Sequence, residues 1–248
     1  MLTALATLAA LNCLLVGAQP SPDQGTQLPE NGIRVLIVSG IDWKGHLFKE
    51  TGPALREVLE KDPRIDVRLV EDADFLSSDA IDKYDVLFLH FKNYLPLLND
   101  DAAKKKLTEF VGNGKGLVVF HFAQGAFPEW PEFEKLAGRT FLWGASKHDK
   151  RGPFSVRIAD PQHPITRGLQ DFEIDDELYH TLHGDTPIHV VATARSNMTG
   201  KDEPIAFVLE YGKGRVFHTP LGHDVKAITN AGAAELIRRG TVWAGGRE

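Results

Sequence analysis

Four short runs rich in Val, Leu and Ile constrain this chain more than any other feature: IRVLIVSG from Ile33, IDVRLVED from Ile65, YDVLFLHF from Tyr84 and GLVVFHFA from Gly116. A strand with one face in water alternates apolar and polar residues. A nearly continuous apolar run, such as the first or the fourth, needs cover on both faces, as in a parallel sheet between helical layers. Helical segments fall between the runs. GPALREVLEKDP carries Leu55, Val58 and Leu59 at helical spacing and stops at a proline. NDDAAKKKLTEFVGNGKG opens with Asn99 or Asp100 as N-cap, presents Leu107, Phe110 and Val111 as an apolar stripe, and closes on glycine. This alternation predicts a doubly wound α/β sheet.

The second half differs. FSVRIAD, PIHVVATA, PIAFVLEYG and GRVFHTPLG read as strands with little helix between them. The last two are close enough for a hairpin turning at Lys213-Gly214, with its second strand running through Phe217. NAGAAELIRRGTVWAGG is an amphipathic closing helix that buries Ala234, Leu236, Ile237, Val242 and Trp243. At 248 residues, one domain is expected, mostly parallel with antiparallel strands added.

The first residues, MLTALATLAALNCLLVGAQPSPDQGTQ, have the shape of a signal peptide over 1–18, with Val16-Gly17-Ala18 suited to cleavage, followed by a linker over 19–31 and a domain over 32–246. No Lys or Arg precedes the apolar stretch, and an uncleaved anchor is the alternative. An exported protein, periplasmic or extracellular and free of the membrane after cleavage, is expected. Cys13 is the sole cysteine and lies in this segment, so a processed chain has no disulfide, no zinc-thiolate site and no cysteine nucleophile. The formal net charge is −6 and no basic run exceeds Lys104-Lys105-Lys106, which argues against nucleic acid as a partner.

Open α/β sheets bind ligands beyond the carboxyl ends of their strands. Asp42, Trp43 and His46 follow the first run, His90 ends the third and His121 the fourth, and His218 and His223-Asp224 follow the last. A single histidine there is more often structural than catalytic. Several converging on one rim change that balance, because burying imidazoles without use costs desolvation. His90 is the weakest of these, and His163 and His189 are assigned structural roles.

FEIDDELYHTLHGD supplies Glu177, His180 and His183, a carboxylate and two imidazoles of the kind that ligate zinc or iron. On an α-helix the first and third would lie about 120° apart, so they share a face only in a tighter turn. The alternative is that Glu177 pairs with an imidazole of the cleft. Trp43, Trp130, Trp143 and Tyr179 lie in the same loops, as aromatic faces for a sugar or as core plugs. No GxSxG, HExxH, P-loop or GxGxxG pattern occurs.

The stretches HPITRGLQDFEIDDELYHTL, DEPIAFVLEYGKGRVFHTPLGHD, IRRGTVWAGG and GNGKGLVVFHFAQGAFPEWPEFEKLAGRTF together resemble the trehalose-utilisation ThuA-like family, from about Ile33 to Gly245. The resemblance implies a flavodoxin-like, class I glutamine amidotransferase-like fold and a link to the catabolism of sugars, including oxidised (keto) disaccharides. In the amidotransferase pattern the strand-to-helix elbow holds a cysteine, whereas the corresponding residue here is His121, which rules out glutamine hydrolysis through a thioester. The reading is then histidine acid/base chemistry on a small-molecule carbohydrate, giving isomerisation or elimination. Catalytic roles fall to His121, Glu177, His223 and Asp224. Substrate contacts fall to Asp42, Trp43, His46, Trp130, His148, Tyr179 and His218. Should a divalent metal such as zinc take part, His121, His180, His183 and His223 are the candidate ligands. Two other readings stay open: a non-catalytic sugar- or partner-binding domain, and a metal-dependent hydrolase. A homo-oligomer is also left open.

Overall fold

The computed structural model describes residues 28–42, 44–92 and 96–247. The segment 1–18, Cys13, Trp43 and most of the linker lie outside the described residues. In chain order the elements are β1 (Ile33–Ser39), α1 (Phe48–Leu59), β2 (Ile65–Val70), β3 (Val86–His90), α2 (Asp100–Gly112), β4 (Gly116–Phe120) and α3 (Pro131–Ala137). There follow β5 (Lys147–His148), β6 (Gly152–Ile158), β7 (Phe172–Asp176), β8 (Tyr179–His180), β9 (His189–Arg195), β10 (Asp202–Tyr211), β11 (Gly214–Thr219), α4 (Val225–Ile228) and α5 (Ala231–Ala244).

Nine strands form one sheet in the order β2-β1-β3-β4-β11-β10-β9-β6-β7. The first five in that order run parallel, and β10, β9, β6 and β7 extend the sheet antiparallel. The apolar runs explain the parallel half, since every residue of β3 and of β4 is buried. Two cores result, one on each face. One joins α1, α4 and α5 to the sheet through Leu55, Ile228 and Leu236; the other joins α2 and α3 through Leu107 and Leu136. Both halves of the expected fold class are present.

The hairpin departs from expectation in two details. Tyr211 pairs with Gly214, so the turn is Gly212-Lys213, one residue early, with Gly212 at φ +59°. Glycine is the residue that takes this left-handed geometry without steric cost. β11 also continues to Thr219, which places His218 inside the strand. Among the described residues, no helix is long and apolar enough to cross a membrane.

Candidate active site

Because β1, β3, β4 and β11 are parallel, their carboxyl ends lie at one edge of the sheet. The loop after β1 brings His46 there, the elbow after β4 brings His121, and the loop after β11 brings His223. Glu177 arrives from the antiparallel side, in the link between β7 and β8. One ligand-type atom from each of His46, His121, Glu177 and His223 lies within 4.8 Å of those of the others.

His121 sits at φ +48°, a left-handed conformation that costs a non-glycine residue about 1–2 kcal/mol. Strain of this kind is retained where a side chain must be aimed. Its Nδ1 lies 2.7 Å from the Pro220 carbonyl, which only accepts, so Nδ1 carries the proton and Nε2 presents a lone pair. His46 Nε2 lies 3.0 Å from that lone pair. Phe122 stacks on His46, and the Tyr179 ring meets His121 edge-on. Burial in this aromatic setting holds both imidazoles neutral, lowering His46 to about 2 and His121 to about 3.

His223 is treated oppositely. Its Nδ1 lies 3.2 Å from Glu177 Oε2, close enough for an ion pair, although Nδ1 makes no aligned hydrogen bond. The Glu177 carboxylate raises its pKa all the same. Burial pushes Glu177 upward, but the neighbouring imidazoles outweigh it and bring the carboxyl down to about 2. Glu177 therefore favours the protonated form of His223, while burial favours the neutral form of His121. One carboxylate thus stands between two imidazoles, ring centres 5.5 Å apart, whose surroundings shift them in opposite directions.

Two features aim His223. Gly222 adopts φ +111°, and a Cβ there would lie 2.0 Å from Phe120 Cζ, so only glycine lets the loop cross the end of β4. Asp176, fully buried, accepts the backbone N–H groups of Gly222, His223 and Glu177 at 2.6, 3.1 and 2.9 Å. Burial raises this carboxyl to about 6 despite the three donors. Asp176 is the residue that sequence reasoning missed.

Other predicted residues have different surroundings. Asp224 accepts the Ala227 N–H as N-cap of α4 and pairs with Arg151 at 2.7 Å, reaching His223 through charge alone. Asp42 accepts the Lys49 N–H in the first turn of α1. His148, 41% exposed, stands at the rim 3.8 Å from Glu177. Trp130 packs on Phe127 and Phe133. His218 is buried, with Nδ1 on the Ala137 carbonyl and its ring against Phe207. His180 lies near Asp149, and His183 pairs with Glu134, so neither joins the converging set, and His46 and Glu177 complete it instead. His90 is hydrogen-bonded at both nitrogens, to Ser39 and Thr51. His189 pairs with Asp160.

Three imidazoles and a carboxylate fit a borderline divalent cation such as zinc or iron, and the contact from His121 Nδ1 to a backbone carbonyl is the outer support such ligands use. The same set without a cation is an acid/base site.

A family model described as ThuA, trehalose utilisation, matches residues 34–244. Solved structures with the same architecture include a ThuA-like protein from Parabacteroides merdae ATCC 43184, at 25% identity and TM-score 0.78 over 87% of this chain and 91% of that one. A ThuA-like protein from Bacteroides uniformis ATCC 8492 follows at 17% identity and TM-score 0.69, over 90% and 94%. A GMP synthase component from Thermoplasma acidophilum shares the fold at 14% identity and TM-score 0.54, over 87% and 94%. Comparison with curated proteins gives no significant match.

Proposed function

Since the chain belongs to the ThuA family, we propose that it is an exported enzyme of carbohydrate catabolism that moves a proton beside the carbonyl of a keto-sugar or keto-disaccharide. The observation that carries this reading is the opposed setting of two imidazoles about Glu177, ring centres 5.5 Å apart: burial lowers the pKa of His121, and the carboxylate raises that of His223. Environments that push paired groups apart mark a base and an acid.

In this reading His121 Nε2 takes the proton from the carbon next to the carbonyl, and the C–H electron pair becomes the C=C bond of an enediol. His223 gives its proton to the carbonyl oxygen, and Glu177 holds the charge balance. Delivery of that proton to the former carbonyl carbon, with the O–H proton of the neighbouring hydroxyl passing to His223, completes an isomerisation. In an elimination the enol O–H proton returns to His223 as the C=O re-forms, the C=C shifts towards the β-carbon, and the departing β-oxygen takes the proton held by His121. Glutamine hydrolysis has no place in it, because the elbow carries no thiol. His121→Ala and His223→Ala should each abolish turnover of keto-sugars while leaving the thermal midpoint nearly unchanged. A variant of full activity removes the mechanism, and sugar binding without turnover in the native protein makes it a binding module.

A second reading, a metal-dependent hydrolase, is favoured by one contact. The His121 lone pair is occupied by His46 at 3.0 Å, an arrangement that a cation held between the two nitrogens would also explain. His46, His121, Glu177 and His223 would then hold the ion, which would supply Lewis-acid activation.

A further inference from the structure

One sizeable cavity is not centred on the histidines. It has about 530 Å³ and lies between Lys92 and Leu97 on one side, the start of α2, and the segment following the His121 elbow, with Asp100, Lys104, Phe127, Glu129 and Trp143 also on its walls. That volume falls in the range of small-molecule sites, about 300–1,000 Å³. Its location, beyond the carboxyl ends of two adjacent parallel strands, is where open α/β sheets take ligands. A continuous aromatic wall joins it to the histidine cluster: Trp143 meets Phe122 edge-on, and Phe122 stacks on His46.

The lining has a definite chemistry. Lys104 and Asp100 form an ion pair, and Lys92 and Glu129 add one further charge of each sign. Balanced charge disfavours phosphate or nucleotide and suits a neutral ligand that both donates and accepts hydrogen bonds. Lys92 is only 3% exposed although it lines the cavity, and its stem packs 3.4 Å from where a side chain on Gly125 would begin. Glu129 is held at φ +60°, a strained conformation on the cavity wall. Trp143, on the cavity wall, is 58% exposed, which leaves its ring accessible to a ligand. An aromatic face beside paired donors and acceptors is the chemistry that holds a pyranose ring.

We propose that this cavity is a second sugar subsite, with Trp143 as the stacking platform and Lys92 and Glu129 as hydroxyl partners, holding the non-reacting ring of a glycoside whose other ring reaches the histidine cluster. The placement of the two rings rests on the function proposed above; the subsite as a sugar site does not.

The test is calorimetric titration of the full chain with trehalose and with D-glucose, using the native protein, Trp143→Ala and Lys92→Met. Trp143→Ala and Lys92→Met should each weaken trehalose binding at least about tenfold. Glucose should bind more weakly than the disaccharide. Because Trp143 is exposed, its variant folds even where Lys92→Met does not. Unchanged affinity in Trp143→Ala, or no trehalose binding by the native protein, overturns the subsite. Keto-sugar turnover measured on the same samples separates the two ideas: turnover with no loss of binding in the variants removes the subsite alone, and variant-sensitive binding without turnover removes the catalytic reading alone.

Discussion

The Nε2 atoms of His46 and His121 lie 3.0 Å apart, with the other nitrogen of His121 fixed on the Pro220 carbonyl. Both imidazoles are neutral, so this is a contact between one lone pair and one N–H, and a cation could replace that proton. Equilibrium dialysis against zinc, followed by elemental analysis, distinguishes the two states. The metal reading predicts about one ion per chain, lost in His46→Ala and in His121→Ala, with chelator abolishing activity. Full activity after metal removal leaves the acid/base reading.

Backbone strain at His121 gives a prediction that separates purpose from stability. Glycine relieves φ +48° and alanine does not, so His121→Gly should be more stable than His121→Ala by about 1 kcal/mol. This reverses the usual order of the two residues. Both variants should lose about 10²–10⁴ in kcat. Urea titration of the pair checks the first statement, and an alanine variant as stable as the glycine one contradicts it.

Asp176 is a positioning residue that touches no substrate in this account. Removing its carboxylate leaves the N–H groups of Gly222, His223 and Glu177 without their acceptor. Asp176→Ala should cost about 3 kcal/mol. It should also lower the pKa of the residue 223 imidazole, read by NMR titration, as that ring moves from Glu177. An unshifted imidazole contradicts the assignment.

Gln124, fully buried three residues beyond His121, has neither amide atom partnered among the described residues. Replacing such a group by an apolar one of similar shape is neutral or stabilising. Gln124→Met should therefore leave the unfolding free energy unchanged or raise it by about 1 kcal/mol. A loss of more than about 2 kcal/mol would show that the amide has a partner, such as a buried water.

Stability should fall as pH is lowered below 6.5. Burial lowers His90 to about 3 and His218 to about 4 from that ordinary value, so the unfolded chain takes up protons that the folded chain refuses. Asp176, raised to about 6, works in the opposite direction between that pH and 3.8. The histidines titrate at lower folded values and outnumber it. Urea midpoints at pH 7.5 and pH 5 check the sign, with a lower midpoint at pH 5 expected.

Much of this was legible in the sequence, for identifiable reasons. The apolar runs of β1 and β4 demanded cover on both faces, and Gly222 before His223 announced a hinge. His218 was misplaced because β11 runs two residues further than its apolar run, and adjacent strand residues face opposite sides. Phe217 joins the core under α5 while His218 packs with Phe207 on the other face. Among Asp175, Asp176 and Glu177 nothing in the residue types shows which acid is buried; that depends on β7 reaching the loop after β11. His180 and His183 have ligand-like spacing, yet the short strand β8 and the bridge from His183 to Thr140 send them to Asp149 and Glu134.

The most direct test follows proton exchange by NMR in D₂O, with keto-disaccharides as substrates and native protein compared with His121→Ala. The account predicts deuterium entering the carbon beside the carbonyl with the native protein and none above background with the variant. No exchange and no product with the native protein, metal-loaded or metal-free, would contradict it.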